Sequence, residues 1–271
     1  MMFCLVRVNP APLFYIRFFI CYNYCMENNN QDYEDFISTV SHELRTPLTS
    51  IRGFSQTMLS SWDKLDDESK KKFIKIIEEQ SQRLINLVEN MLAVTKLHSK
   101  NIFVYNETAV KPLIDQTITI IKSKYSNRVF NFSCPDSISK VFVDKDKFQQ
   151  IMTNLIENSA KYSPDGSTIK ISAIERDDSV IIQVSNIGLP IDENDYEKIF
   201  TKFSRIDNPL TRKVQGSGLG LYITKTLTEK MGGKISVCSK QIKSSEYADI
   251  TFTLSMPIKN IEEQTRIKCV Q

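Results

Sequence analysis

A histidine with a carboxylate beside it is the first feature of this sequence that could do chemistry. His42 is followed directly by Glu43, and Thr46 comes one helical turn later. Neutral imidazole is a competent nucleophile near neutral pH, because its unperturbed pKa is about 6.5. Glu43 can accept the second ring proton and activate the ring, and the Thr46 hydroxyl can hold a water molecule nearby. Pro47 cannot donate to the carbonyl four residues earlier, so we expect the helix to bend there.

Two amides, a lysine and a tyrosine form a second group, in the sequence NLIENSAKYS at residues 154–163. Positions i, i+4, i+7 and i+8 share one helix face, and here they are Asn154, Asn158, Lys161 and Tyr162. Amide oxygens suit Mg²⁺, which retains several waters and also takes phosphate oxygens. Lysine pairs with phosphate as a point charge. An ordinary polar helix face is the alternative interpretation.

A glycine-rich turn, GSGLGL at residues 216–221, comes directly before a predicted helix. Glycines at such a place let backbone N–H groups approach an anion, which the helix N-terminus also favours. The run does not match a dinucleotide-binding fingerprint, because no βαβ unit surrounds it and the spacing differs. The sequence also contains no Walker A motif and no set of protein-kinase motifs.

Two amphipathic helices must position the histidine. Apolar residues recur at helical spacings over residues 37–58 and again over 73–94, and a polar segment at 60–69 separates them. This pattern predicts a helical hairpin. Each apolar stripe is wider than one partner helix covers, so we expect two hairpins to pair as a homodimeric four-helix bundle.

The rest of the chain alternates strand-like and helical patterns, which predicts an α+β fold with a mixed sheet and helices on one face. Helices are expected over residues 112–125, 147–161, 194–200 and 222–231. Strands are expected over residues 102–104, 129–133, 141–143, 169–174, 180–185, 234–239 and 250–256. Gly232 and Gly233 should end the last helix.

The composition bears on nucleic-acid binding and on the redox state of the cysteines. A net charge of +3 is too small for a dedicated nucleic-acid binder, so no direct nucleic-acid partner is expected. Cys21 and Cys25 are four apart without a second pair or a histidine cluster. Free thiols in a reducing compartment are therefore favoured over a metal site or a disulfide.

Residues 1–34 form a leader that is apolar and aromatic over residues 1–25. No uninterrupted apolar run reaches the roughly 20 residues of a membrane-spanning helix, and Arg17 would be costly in lipid. A membrane-proximal anchor, the remnant of a lost sensor region and a misassigned start all stay open. We expect a cytoplasmic location, with membrane association through this leader undecided.

The octapeptide SHELRTPL at residues 41–48 resembles the H-box of the sensor histidine kinases of two-component systems. Later segments resemble the N-box, G1 box, F-box and G2 box of these kinases, in the family's order. They are, respectively, NLIENSAKYS, NIGLP at 186–190, residues 196–207, and GSGLGL. The resemblance implies a dimerisation and phosphoacceptor hairpin at residues 35–99. It also implies an ATP-binding domain of the gyrase, Hsp90 and histidine kinase type at residues 100–259, with a polar tail at 260–271.

The resemblance assigns roles to single residues. His42 would be phosphorylated, Glu43 would assist, and Thr46 would support dephosphorylation of the partner. Within the ATP site, Asn158 would coordinate Mg²⁺, and Tyr162 would pack near the nucleotide. Asn154 and Lys161 would help to hold the triphosphate.

The remaining ATP-site assignments concern the last three boxes. The G1 box usually has Asp where this chain has Asn186, and the Asp accepts a hydrogen bond from the adenine amino group. Gly188 is retained, but Pro190 replaces the second glycine. An amide carbonyl still accepts, without charge assistance. Arg205 would reach the γ-phosphate beside a lid at residues 208–215, and the G2 box would contribute Gly216, Gly218, Gly220 and Leu221.

The function implied by the resemblance is autophosphorylation of His42 by Mg·ATP. The phosphoryl group would then pass to an aspartate on the receiver domain of a response regulator, a separate chain that this protein would also dephosphorylate. The departures at Asn186 and Pro190 keep an alternative open, namely a kinase-deficient dimeric scaffold or a phosphatase-only module.

Overall fold

The chain divides into two compact units, with the boundary between Asn101 and Ile102. A computed structural model describes residues 30–98, 103–204 and 217–259. Most of the predicted leader and the whole polar tail lie outside these residues. Within the described ranges, no helix combines the length and the apolar character needed to cross a membrane.

The first unit is the predicted helical hairpin. Helix α1 (Asn30–Ser61) and helix α2 (Asp67–His98) are joined through a 3₁₀ turn (Trp62–Lys64). The carboxylate of Asp66 accepts from the N–H of Ser69 at 2.6 Å, which caps α2 at its start. This hydrogen bond is the main cause of the lowered pKa of Asp66. Helix α1 continues through Pro47 without a break, so the proline does not end the helix.

The interior of the hairpin is the predicted apolar stripe. Leu87, Met91 and Val94 are almost completely buried, and the rings of Phe54 and Phe73 pack with centroids 5.1 Å apart. Other large apolar side chains of this unit remain exposed: Leu48, Leu59, Trp62, Ile74, Ile85 and Leu92. A single hairpin therefore leaves apolar surface uncovered, as the sequence pattern predicts.

The second unit has seven strands and three α-helices among its described residues. The helices are α3 (Val110–Lys124), α4 (Lys145–Tyr162) and α5 (Gly220–Lys230). The strands are β1 (Tyr105–Thr108), β2 (Val129–Ser133), β3 (Val141–Asp144), β4 (Thr168–Arg176), β5 (Ser179–Gly188), β6 (Lys234–Gln241) and β7 (Ala248–Pro257).

Five strands form a mixed sheet in the order β2-β4-β5-β7-β6, and β1 pairs with β3 separately. Strand β2 is parallel to β4, and the other neighbours are antiparallel. Alternate residues are buried, and the register aligns Ile171 with Val184 and Val184 with Phe252 on one face. The helices pack against this face. The predicted α+β fold with helices on one side of the sheet is confirmed.

Two predicted elements are wrong. Residues 194–200 do not form an α-helix but two 3₁₀ turns, Glu193–Asp195 and Lys198–Phe200. The Asp192 side chain accepts from the N–H of Asn194 at 2.8 Å, which stabilises a tight turn instead of a helix start. The first strand is Tyr105–Thr108, and residues 103 and 104 of the predicted strand precede it. The predicted end of the last helix is confirmed by the left-handed conformation of Gly232, with φ of 74°.

Candidate active site

His42 lies on the exposed side of α1, but its neighbour Glu43 turns toward the other helix. The carboxylate of Glu43 is 3.3 Å from the guanidinium of Arg83 in α2, and both side chains are only about a fifth exposed. The predicted proton acceptor of His42 is therefore paired with Arg83, which sequence reasoning missed. Because 40 residues separate the pair, no local pattern could reveal this contact.

Thr46 lies one turn after His42, as predicted. Its hydroxyl donates to the backbone carbonyl of His42 at 3.4 Å, which is a long hydrogen bond. Such back-bonding is common for threonine in helices. The side chain is exposed, so a modest rotation of the hydroxyl toward solvent costs little.

Helix α4 is fixed at its start by Asp144, whose carboxylate accepts from the N–H groups of Asp146 and Lys147, each at 3.1 Å. Its second oxygen accepts from the N–H of Val104 at 3.0 Å. The helix thus begins two residues earlier than the pattern predicted.

The amide of Asn154 links α4 to the glycine-rich segment. Its Nδ2 donates to the carbonyl of Gly220 and to the hydroxyl of Thr224, each at 3.3 Å. A Cβ placed on Gly220 would lie 3.9 Å from the Asn154 side chain. The structure therefore brings the predicted N-box and G2-box residues together. The predicted contact between Asn154 and a triphosphate remains a prediction.

Asn158 is half-buried one turn further along α4. Within the described ranges of the chain, its side chain makes no hydrogen bond, so both the oxygen and the N–H₂ group are available to a ligand. The ammonium of Lys161 lies 5.6 Å from the centre of the Tyr162 ring. Among the residues described, no group of three His, Cys, Asp or Glu side chains could hold a metal ion. An amide oxygen supplemented by phosphate oxygens and water is the donor set that this site offers, and it fits Mg²⁺.

The C-terminal end of α4 is held by Arg128, a residue that sequence reasoning missed. Its guanidinium donates to the carbonyls of Ala160 at 3.0 Å and Ser163 at 2.6 Å, and it also pairs with Asp165. These bonds satisfy carbonyls that a helix end otherwise leaves unpaired. Arginine suits this role better than lysine, because its planar guanidinium holds several N–H donors in a fixed geometry.

Asn186 and Gly188 end strand β5 close to the end of α4. Asn186 is only 4% exposed, and its Nδ2 donates to the carbonyl of Ile187 at 3.2 Å, so its Oδ1 is the atom available to a ligand. A Cβ on Gly188 would lie 3.1 Å from the Ile250 side chain and 3.4 Å from the Tyr162 carbonyl. Glycine at 188 thus permits close approach of β5 and α4.

The F-box segment is tied to the sheet and to α5. The Tyr196 hydroxyl accepts from the N–H of Ser239 at 2.7 Å, and the Glu197 carboxylate is 2.8 Å from the ammonium of Lys225. Arg205, Gly216 and the predicted lid at residues 208–215 lie outside the described residues.

Gly218 is the sterically constrained member of the glycine-rich segment. It has φ of 67°, and a Cβ there would lie 2.6 Å from the carbonyl carbon of Phe203. Gly220 and Leu221 are the first two residues of α5. Their backbone N–H groups belong to the first turn, where a helix has no internal acceptors and attracts anions.

Comparison with known proteins decides the family. A model described as "His Kinase A (phospho-acceptor) domain" matches residues 32–100. A model described as "Histidine kinase-, DNA gyrase B-, and HSP90-like ATPase" matches residues 143–260. The chain belongs to the histidine kinases.

Two curated histidine kinase relatives illustrate the similarity. Sensor histidine kinase WalK of Bacillus subtilis is 32% identical over 243 residues, which cover 88% of this chain and 38% of the relative. Sensor protein SrrB of Staphylococcus aureus is 31% identical over 239 residues, which cover 85% of this chain and 39% of the relative. The chain therefore spans less than half the length of these two proteins.

Solved histidine kinase structures share the fold. Histidine kinase ThkA in complex with response regulator protein TrrA superposes with a TM-score of 0.66 at 28% identity, covering 83% of this chain and 61% of that chain. Histidine kinase AdeS of Acinetobacter baumannii has a TM-score of 0.60 at 21% identity, covering 81% of this chain and 98% of that chain.

Proposed function

We propose that this chain is a protein-histidine kinase of a two-component system. The unit formed by residues 100–259 binds Mg·ATP, and the hairpin at residues 35–99 dimerises and carries the phosphoacceptor His42. The phosphoryl group then passes to an aspartate on the receiver domain of a response regulator, which the same protein also dephosphorylates.

The observation that carries the ATP site is the bridge from Asn154 to Gly220 and Thr224. It brings the amide face of α4 to the N-terminus of α5, so side-chain amides and unpaired backbone N–H groups meet at one place. Such a place suits a polyanion. Asn186 lies near the C-terminal end of α4, and its Oδ1 offers an acceptor for the amino group of a base.

Mg²⁺ would be held by the amide oxygen of Asn158, and when bound it neutralises charge on the phosphates. Lys161, on the same helix one turn later, adds a positive charge that is suited to the triphosphate. The protein's part in phosphoryl transfer is mainly positioning and charge stabilisation.

The chemical step is a displacement at phosphorus. An unprotonated ring nitrogen of His42 attacks the γ-phosphorus, a nitrogen–phosphorus bond forms, and the bond to the leaving ADP oxygen breaks. The proton on the other ring nitrogen passes to Glu43 or to water. Glu43 also pairs with Arg83. How well it assists His42 therefore depends on how its carboxylate divides between Arg83 and His42.

Two protein partners are proposed, a second copy of this chain and a response regulator. The exposed apolar residues of the hairpin support homodimerisation, since pairing would remove them from water. ThkA, a relative in fold, is known in complex with a response regulator, and an equivalent partner is proposed for this chain. We place both units in the cytoplasm.

The test is labelling with γ-³²P-ATP and Mg²⁺, comparing the chain with its His42→Gln variant. The proposal predicts acid-labile, base-stable label on the first and none on the second. Equal labelling of both would exclude His42 as the acceptor. Label on neither, with ATP binding intact, would instead support the kinase-deficient scaffold.

A further inference from the structure

Ser159 has a buried hydroxyl without a hydrogen-bond partner. The residue follows Asn158 in α4 and is 1% exposed. Its Oγ is the one fully buried side-chain nitrogen or oxygen in the described residues that has no partner. Burying a hydroxyl away from water without a hydrogen bond is costly, so such a group calls for a physical explanation.

Other buried hydroxyls on the described helices do not share this property. Ser163 donates to the carbonyl of Ser159 at 2.6 Å. Thr117 donates to Leu113 at 2.8 Å, and Thr228 donates to Thr224 at 2.7 Å. Each satisfies itself on the carbonyl four residues earlier. The Ser159 hydroxyl makes no such bond.

The position of Ser159 within α4 indicates what it faces. It lies four residues after Leu155, near the C-terminal end of the buried stripe of this helix. Asn186 lies on the buried face of β5, in alternation with Val184. Helix α4 packs along β5, and its Tyr162 carbonyl lies beside Gly188. Ser159 lies about one turn before Tyr162 in the helix, and Asn186 lies two residues before Gly188 in the strand. We therefore infer that Ser159 and Asn186 lie at the same end of the interface between α4 and β5.

The two side chains complement one edge of adenine. That edge presents an amino group, which donates, next to the ring nitrogen N1, which accepts. Asn186 Oδ1 can accept from the amino group, while one hydrogen of its N–H₂ group is donated to the Ile187 carbonyl. A serine hydroxyl on the neighbouring helix can supply a donor for N1.

We propose that Ser159 Oγ is a nucleobase-recognising group that donates to N1 of ATP, directly or through a trapped water, beside Asn186. The proposal rests on the proposed function, which places ATP at this site. Among the described residues the buried hydroxyl has no partner, and the nucleotide would supply one.

The test compares Ser159→Ala with the unaltered chain, using ATP binding by calorimetry and thermal unfolding without nucleotide. Two shifts of opposite sign are expected. ATP affinity falls about tenfold, the value of one lost hydrogen bond, while the Tm of the free protein rises by roughly 2–4 °C because an unsatisfied hydroxyl is gone. For 1-deaza-ATP, which lacks N1, the affinities of the two proteins should be equal.

Thr117→Val is the matched control, since it removes a buried helix hydroxyl that already has a partner. It should leave ATP affinity unchanged and should not raise the Tm. If Ser159→Ala binds ATP as tightly as the unaltered chain, the inference is wrong, whatever the Tm does. If the variant loses ATP and 1-deaza-ATP affinity equally, the hydroxyl acts through packing and the inference is also wrong. Failure of the unaltered chain to bind ATP would instead contradict the proposed function.

Discussion

The backbone of Gly218 lies directly against that of Phe203, so that a Cβ at position 218 would be 2.6 Å from the Phe203 carbonyl carbon. Both residues adopt left-handed backbone conformations, with φ of 67° for Gly218 and 59° for Phe203. They flank residues 205–216 on either side. At position 218 only glycine permits this close approach to the Phe203 backbone.

Gly218→Ala should therefore damage the ATP site. The added methyl group must displace backbone atoms of Phe203 and also disfavours the left-handed conformation. We expect the Tm to fall by several degrees and ATP affinity to fall at least about tenfold, consistent with strain of a few kcal/mol. Thermal unfolding and calorimetric titration measure both quantities.

Gly220→Ala is the steric control for this prediction. A Cβ at position 220 meets nothing closer than 3.9 Å, and alanine favours a helix more than glycine does. Its Tm should equal or exceed that of the unaltered chain. Equal Tm values for Gly218→Ala and the unaltered chain would show that the contact with Phe203 is not restrictive.

Glu43→Gln should slow the labelling of His42 by roughly 100-fold, the contribution typical of one general base. Glutamine keeps the shape and the hydrogen bond to Arg83 but cannot accept a proton. The initial rate of ³²P incorporation at saturating ATP measures the effect. An unchanged rate would mean that water, and not Glu43, takes the ring proton.

Arg83→Gln should have the opposite effect on labelling. Glu43 loses its partner at 3.3 Å and is free to face His42, so we expect the initial rate to rise a few-fold. Hairpin stability should fall by about 1 kcal/mol, the upper range for such ion pairs. Lys75→Gln, which removes an exposed pair with Glu79 on the same helix, should change neither quantity.

Asn158→Ala should weaken Mg²⁺-dependent ATP binding by at least roughly tenfold, because the amide oxygen is the proposed protein ligand of the metal. Titrating Mg²⁺ at fixed ATP separates this from a general loss of nucleotide binding. Asn158→Asp, which keeps an oxygen ligand, should retain more Mg²⁺ affinity than the alanine variant. Identical Mg²⁺ dependence in all three proteins would reject Asn158 as the ligand.

Asn186→Asp should bind ATP more tightly but unfold at a lower temperature. A carboxylate accepts from the adenine amino group with charge assistance. At 4% exposure, however, the same charge is costly in the free protein and loses the hydrogen bond to Ile187. Comparing Tm with and without nucleotide should show a larger ATP-induced shift for the aspartate. A smaller shift would indicate that position 186 does not face the base.

Thr46→Ala should abolish dephosphorylation of the response regulator while labelling of His42 continues. The side chain is exposed and makes only a long bond to its own helix, so its removal should not disturb the hairpin. Thr46→Ser, which keeps the hydroxyl, should retain the phosphatase activity. Release of phosphate from the phosphorylated regulator measures both variants.

Local periodicity predicted most of the elements of this chain. Helix α4 was placed within two residues at its start because buried and polar positions repeat along one segment. The same reasoning failed at residues 194–200, where Asp192 closes a turn on Asn194 and two short 3₁₀ segments imitate helical spacing. It also misplaced β1, since the sequence YNET has no apolar alternation and only its pairing with β3 makes it a strand.

Contacts between distant parts of the chain could not be predicted from spacing. Arg83 and Glu43 are 40 residues apart, and Asn154 and Gly220 are 66 apart. The histidine, the N-box amides and the glycines were each found in sequence. Their partners were not, because pairing across a hairpin or a sheet depends on register and topology.

The hydrogen bonds from the Arg128 guanidinium at the end of α4 should reduce local opening of that helix end. Helix ends normally fray, and their amides exchange with solvent through local opening far below the global unfolding free energy. With the carbonyls of Ala160 and Ser163 both held by one guanidinium, amide hydrogens at this end should exchange almost as slowly as those in the middle of the helix. The C-terminal end of α4 should then be the part of the proposed nucleotide site that opens least.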